Sequence, residues 1–157
     1  MTNKNHSLKL IQQNMKTKIF VDEKIKDPRN PIRGVYGIFI QDDNKNSECA
    51  YIGRSDNIYG RIFDSNGHIS MLKNQNHYAS KLNDSMDYDN KTIYIKILQE
   101  VPFIFDNYYK DVHRLAFAEY YWISFYQGIN QCLEQLPEGK NISEDDWIKK
   151  HNQRVQK

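Results

Sequence analysis

The chain of 157 residues contains only two cysteines, Cys49 and Cys132, too few for a zinc cluster or a disulfide framework. Both are expected to be reduced and buried, packing as small hydrophobes. No apolar run approaches the length of a membrane span, and the opening MTNKNHSLKL lacks the apolar core of a signal peptide. No membrane partner is therefore expected, and the expected location is cytoplasmic. Internal repeats and low-complexity tracts are lacking as well. So is a large charge of one sign, the formal net charge being +2.

That small total conceals an asymmetry. Residues 1–35 hold eight basic side chains against three acidic ones, a net +5, whereas residues 36–137 hold nine against thirteen, a net −4. A basic arm ahead of an acidic segment can hold a phosphate backbone that the remainder repels. The competing reading is a solvated Lys/Asn-rich terminus.

What the chain does have is aromatic residues, 13% of the total with eleven tyrosines, enough for one domain with an aromatic-rich core. Gly34 to Ile40 (GVYGIFI) and Cys49 to Arg54 (CAYIGR) are rich in β-branched and aromatic residues. The turn-forming Asp42-Asp43-Asn44-Lys45-Asn46 between them predicts a hairpin that brings Tyr36 close to Tyr51. Lys91 to Val101 alternates Ile93, Ile95 and Ile97 with Tyr94 and Lys96, the period of a third strand. Helices are expected from Asn57 to about Phe63, from His68 to Lys73 after the polar interruption Asp64 to Gly67, over His77 to Met86, and over Asp111 to Gln127 with Gly128 as its stop. Residues 1–33 read as an arm, with a short amphipathic helix on Leu8, Ile11 and Met15 and a brief strand at Lys18 to Val21. Residues 34–130 read as the core, and residues 131–157 as an extension whose helix starts at Ser143 and docks through Trp147.

Glu119 falls inside the apolar stripe of the longest helix, made by Leu115, Ala118, Trp122, Ile123 and Tyr126. Burying that carboxylate unpaired costs several kcal/mol, so an arginine, a hydrogen-bond network or a metal is expected beside it.

The tripeptides Gly34-Val35-Tyr36 and Tyr51-Ile52-Gly53, Arg61 ten residues after the second tyrosine, and then Glu119 and Asn130 resemble the pattern of the GIY-YIG nucleases. The resemblance covers roughly Gly34 to Asn130. It implies an α/β fold with a small three-stranded antiparallel sheet flanked by helices, and metal-dependent hydrolysis of DNA phosphodiester bonds to a 5′ phosphate and a 3′ hydroxyl. By this resemblance Tyr36 assists the attacking water, with Tyr51 as its partner. A phenol with pKa ~10 needs a nearby cation or metal-bound water to favour the phenolate in that role. Arg61 grips phosphate oxygens, Glu119 ligates magnesium or its substitute manganese, and Asn130 organises the site.

Relatives often carry a histidine or tyrosine one helical turn after the arginine, where this chain has Ser65. An insertion over Asp64 to Gly67 would let His68 fill that place as a proton carrier or phosphate contact. Arg54 and His77 are expected to contact nucleic acid. With no second DNA-binding domain recognisable, specificity falls to the insertion, the arm, the tail or a homodimer. The alternative expectation is a nucleic-acid-binding or partner-binding protein on the same scaffold with little or no cleavage.

Overall fold

A computed structural model describes residues 16–105 and 107–136, together with Asp145, Ile148 and Lys149. The amphipathic helix expected on Leu8, Ile11 and Met15 lies outside the described residues. So does the helix expected from Ser143, apart from those last three residues, which are helical.

The run GVYGIFI forms strand β2 (Gly34–Gln41), buried along all but its last residue. A strand apolar on both faces must lie inside a sheet covered on both sides, and β2 does so. Strand β3 (Ser47–Ser55) pairs antiparallel on one side of it, and strand β4 (Thr92–Glu100) antiparallel on the other. The hairpin turn between β2 and β3 closes as its composition predicts. Asp42 Oδ1 accepts from the Asn46 N–H at 3.0 Å, and Lys45 takes a left-handed φ of 62°.

The three-stranded expectation is corrected by a fourth strand, β1 (Lys18–Val21), which adds parallel to β4 and gives the order β1-β4-β2-β3. The brief strand expected at Lys18 to Val21 is present, but it belongs to the sheet and not to a separate arm. Its partner is the free edge of β4, more than seventy residues on, where Ile19 and Val21 pack against the cluster that includes Ile93 and Ile95. Ile25, just beyond β1, is buried in the same core. Arg33 also belongs to the interior. It donates to the carbonyl oxygens of Val101 and Asp111 and pairs with Asp56 at 2.8 Å, and it is therefore not a phosphate-binding charge of an arm.

Helices cover both faces. On one face lie α1 (Ile58–Phe63), α2 (His68–Lys73) and α3 (Ser80–Ser85), whose Ile58, Ile62, Leu72 and Leu82 pack with Tyr36, Ile38, Ile93 and Ile95. On the other lies α4 (Tyr108–Gln127), packing Leu115, Ala118 and Ile123 on Val35, Phe39 and Ile52. It begins three residues earlier than its apolar period suggests, because Asn107 caps it by accepting from the N–H groups of Tyr109 and Lys110. The break between α1 and α2 closes at Gly67, where a Cβ would stand 2.8 Å from the carbonyl oxygens of Arg61 and Ile62.

The outer edge of β3 is closed by residues 131–136. The Gln135 side chain accepts from the Ile52 N–H and donates to the Ile52 carbonyl, both at 2.6 Å, as a neighbouring strand would. Cys132 lies beside Cys49, both thiols free and buried, with their sulfurs 3.0 Å apart. Among the described residues no helix is long and apolar enough to cross a membrane.

Candidate active site

Tyr36 and Tyr51 project from the face covered by α1 to α3, their rings 6.4 Å apart. Cross-strand register alone would make them diagonal neighbours, since Tyr36 stands opposite Gly53 and Tyr51 opposite Ile38. Two irregularities refine their aim. The β2–β4 register slips between Val35 and Tyr36, and the β2–β3 register slips between Ile38 and Phe39, opposite Ala50. The second slip turns Ala50 and Tyr51 onto one face, as bulges beside functional sites do. Gly53 then permits the close approach of the other phenol. A Cβ there would fall 2.4 Å from the Tyr36 hydroxyl, so only glycine lets that ring lie across β3.

The Tyr36 hydroxyl lies 2.6 Å from His68 Nε2, and His68 Nδ1 lies 2.8 Å from His77 Nε2. His77 Nδ1 in turn accepts from the backbone N–H of Ala79 at 2.9 Å. His68, the first residue of α2, is completely buried, and the two imidazoles meet edge to edge with centroids 5.0 Å apart and planes within 27°. Burial, reinforced by the neighbouring imidazole and by Arg61, pushes the His68 pKa down to about 2. Burial and Arg61 push that of His77 down to about 4. Both rings are neutral at physiological pH.

Arg61 comes from α1 and is half-buried. Its Nη2 donates to the Tyr78 hydroxyl at 3.0 Å, and Tyr78 donates to Tyr51 at 3.0 Å. Burial works against the cation, but the phenols of Tyr36, Tyr78 and Tyr51 outweigh it and raise its pKa. The phenols pay the larger penalty. Burial raises the pKa of Tyr36 despite Arg61 and raises that of Tyr51 further with help from Tyr36 and Tyr78, so both are protonated phenols at neutral pH.

Four expected site residues from separate elements therefore meet: Tyr36, Tyr51, Arg61 and His68. His77, expected to contact nucleic acid, is a buried member of this cluster and is not a surface contact. Tyr78 was missed in the sequence. Its only signal is its place next to His77, yet it bridges Arg61 to Tyr51 and, at 41% exposure, stands with Arg61 at the solvent side of the cluster.

Glu119 and Arg54 share no hydrogen bond with this group. Glu119 belongs to α4, the layer on the opposite face, and its Oε1 accepts from Arg54 Nη1 at 3.2 Å. The arginine expected beside a buried carboxylate is thus Arg54. Burial raises the Glu119 pKa, with Arg54 acting against it, and no hydrogen bond joins the carboxylate to the phenols, although its charge contributes to the rise at Tyr36. Asn130 is an exposed residue of the turn after α4, with a left-handed φ of 64° that asparagine tolerates well, and no hydrogen bond ties its side chain to the cluster.

Among the described residues no three His, Cys, Asp or Glu side chains are grouped to cage a metal. An all-protein cage of that kind does not fit here. A hard cation that takes one carboxylate and completes its shell with waters and phosphate oxygens fits Glu119, in competition with Arg54. A cavity of about 610 Å³ beside α4, lined by Gln99, Val101, His113, Arg114, Phe117, Ala118 and Tyr121, contains none of the clustered side chains. No family model, no curated protein and no solved structure matches the chain.

Proposed function

We propose that the chain is a metal-dependent endonuclease of the GIY-YIG kind, hydrolysing DNA phosphodiester bonds at the cluster of Tyr36, Tyr51, Arg61 and His68. The observation that carries this reading is their convergence. Two phenols, a guanidinium and a histidine pair, drawn from β2, β3, α1, α2 and the segment before α3, meet on one sheet face with Arg61 and Tyr78 toward solvent. The antiparallel β2, β3 and β4 with flanking helices agree with what the resemblance implies, and β1 is an addition to it.

Arg61 holds the phosphate, its fork matching two oxygens of the anion. The Tyr51 hydroxyl, held by Tyr78, adds a hydrogen bond to the same group. Once it has given up its own proton, Tyr36 orients the attacking water and takes a proton from it, a role that Arg61 favours and burial opposes. Glu119 would hold magnesium, which supplies charge neutralisation at the scissile phosphate and the leaving 3′ oxygen.

A second reading, a nucleic-acid-binding protein that cuts little, is favoured by two observations: the raised phenols, and the single carboxylate already paired with Arg54. Incubating the protein with duplex, branched and single-stranded DNA, with magnesium or with chelator, separates the two. Magnesium-dependent products with 5′ phosphate ends, lost in Arg61→Ala, support the nuclease. Binding of the same DNAs with no cleavage in either condition supports the second reading.

A further inference from the structure

We infer that His77 is a positioning residue, which fixes His68 in the tautomer bearing its hydrogen on Nε2 and makes His68 a hydrogen-bond donor to the Tyr36 oxygen. The inference rests on the nuclease reading for its catalytic consequence but not for its structural content. It is a matter of proton placement, assigned from the hydrogen-bond network.

The chain of bonds has one open end and one fixed end. The fixed end is the Ala79 N–H, which cannot reverse. It donates to His77 Nδ1 at 2.9 Å, so that nitrogen carries no hydrogen. A neutral imidazole bears one hydrogen, and in His77 it must then sit on Nε2. That hydrogen points at His68 Nδ1, 2.8 Å away, which must therefore accept. The hydrogen of His68 is left on Nε2, facing the Tyr36 oxygen at 2.6 Å. Tyr36 accepts, and its own hydrogen is directed elsewhere.

The opposite polarity fails at His77. If Tyr36 donated to His68 Nε2, His68 would carry its hydrogen on Nδ1, and His77 would have to accept at both nitrogens, which only an imidazolate can do. Protonating either ring sets two donors head to head, and the depressed pKa values of both agree with this. The His77 ring is itself held in place, since its backbone N–H donates to Asn83 Oδ1 at 3.1 Å and its plane lies within 27° of that of His68.

The consequence for the reaction is specific. His68 cannot take the proton of Tyr36. It stabilises negative charge on the phenol oxygen by donating to it, together with Arg61, and the Tyr36 proton must go to an acceptor other than His68.

Nitrogen-detected NMR of the imidazoles in the full-length, DNA-free protein tests this directly. The expected pattern is Nε2–H with bare Nδ1 for both rings. A hydrogen on His68 Nδ1 at neutral pH overturns the inference, whether or not the protein cuts DNA. Cleavage kinetics supply the second arm. His77→Gln keeps a donor near the position of Nε2 and should retain most of kcat. His77→Leu removes the donor and should lower kcat at least tenfold with KM unchanged. A rise in KM with a flattened salt dependence in both variants would instead make His77 a DNA contact. If the wild type does not cut, the nuclease reading fails and the NMR pattern still decides the tautomer. If His77→Leu does not fold, the wild type and His77→Gln carry the test.

Discussion

Acid should unfold this protein earlier than its carboxylates require, because two histidines are buried neutral. In the unfolded chain each has a pKa near 6.5, whereas in the fold that of His77 is depressed to about 4 and that of His68 to about 2. Below pH 6.5 the unfolded state therefore binds protons that the folded state refuses. Stability is full above that pH and is lost as pH falls toward the folded values. At pH 5 the unfolded chain has gained about 1.5 pH units of proton binding per ring, about 2 kcal/mol each at 1.36 kcal/mol per unit, or about 4 kcal/mol together. That is a large share of a typical domain stability of roughly 5–15 kcal/mol. Glu119 acts with the opposite sign, since burial raises its pKa, and it reduces the loss only near the acid end. Urea unfolding at pH 7.5, 6.5, 5.5 and 5.0 measures the effect, with a constant m value confirming that the same transition is followed. The expected loss is about 4 kcal/mol for the wild type and about 2 kcal/mol for His77→Gln, which removes one of the two groups. A stability at pH 5 within about 1 kcal/mol of that at pH 7.5 would show that the rings titrate normally, contrary to the burial and the donor-to-donor conflict argued above.

Tyr36→Phe keeps the ring packing and removes the hydroxyl that His68 faces; cleavage assays should show a rate loss on the order of 10²-fold or more. If thermal melting moves and the rate does not, Tyr36 is a core residue only. Glu119→Ala should abolish magnesium-supported cutting while circular dichroism shows an intact fold, since a helix interior tolerates alanine; wild-type-like cutting would remove Glu119 from any metal site. Arg33→Ala leaves the carbonyls of Val101 and Asp111 without their donor and should cost about 3 kcal/mol in urea unfolding; a cost below about 1 kcal/mol would mean that water replaces the guanidinium. Deleting residues 1–15, which carry Lys4 and Lys9, should flatten the salt dependence of DNA binding by at most about two units in the log-log slope; equal slopes reject the phosphate-binding arm.

Much of the architecture was legible along the chain, because the signals there are local. The alternation of Ile93, Ile95 and Ile97 marks a strand, the turn residues from Asp42 to Asn46 mark a hairpin, and the stripe from Leu115 to Tyr126 marks the long helix. These depend on periods of two and 3.6 residues and on turn chemistry, which neighbours in sequence suffice to express. The meeting of Tyr36 with Tyr51 also followed from the hairpin, and the break after α1 followed from the polar run Asp64 to Gly67.

Tertiary structure decided the rest, and in each case the deciding partner is distant in sequence. KIFV became a fourth strand only because β4 offered it a parallel edge, and Arg33 left the basic arm for the core because Val101 and Asp111 present carbonyls to it. The slip opposite Ala50 and the bare Cα of Gly53 aim the two phenols by amounts that no pattern in the sequence encodes. Glu119 was legible as a buried carboxylate in need of compensation, but its partner on β3, Arg54, emerged only when α4 packed on the sheet. The polarity of the Tyr36, His68 and His77 chain depends on one backbone N–H at Ala79, a group that every residue but proline possesses and that acquires meaning only through its position. Residue types and their spacing determined which chemical groups were available and which local elements carried them; long-range packing determined which of those groups face one another, because a hydrogen bond requires ångström-scale placement that only the assembled fold provides.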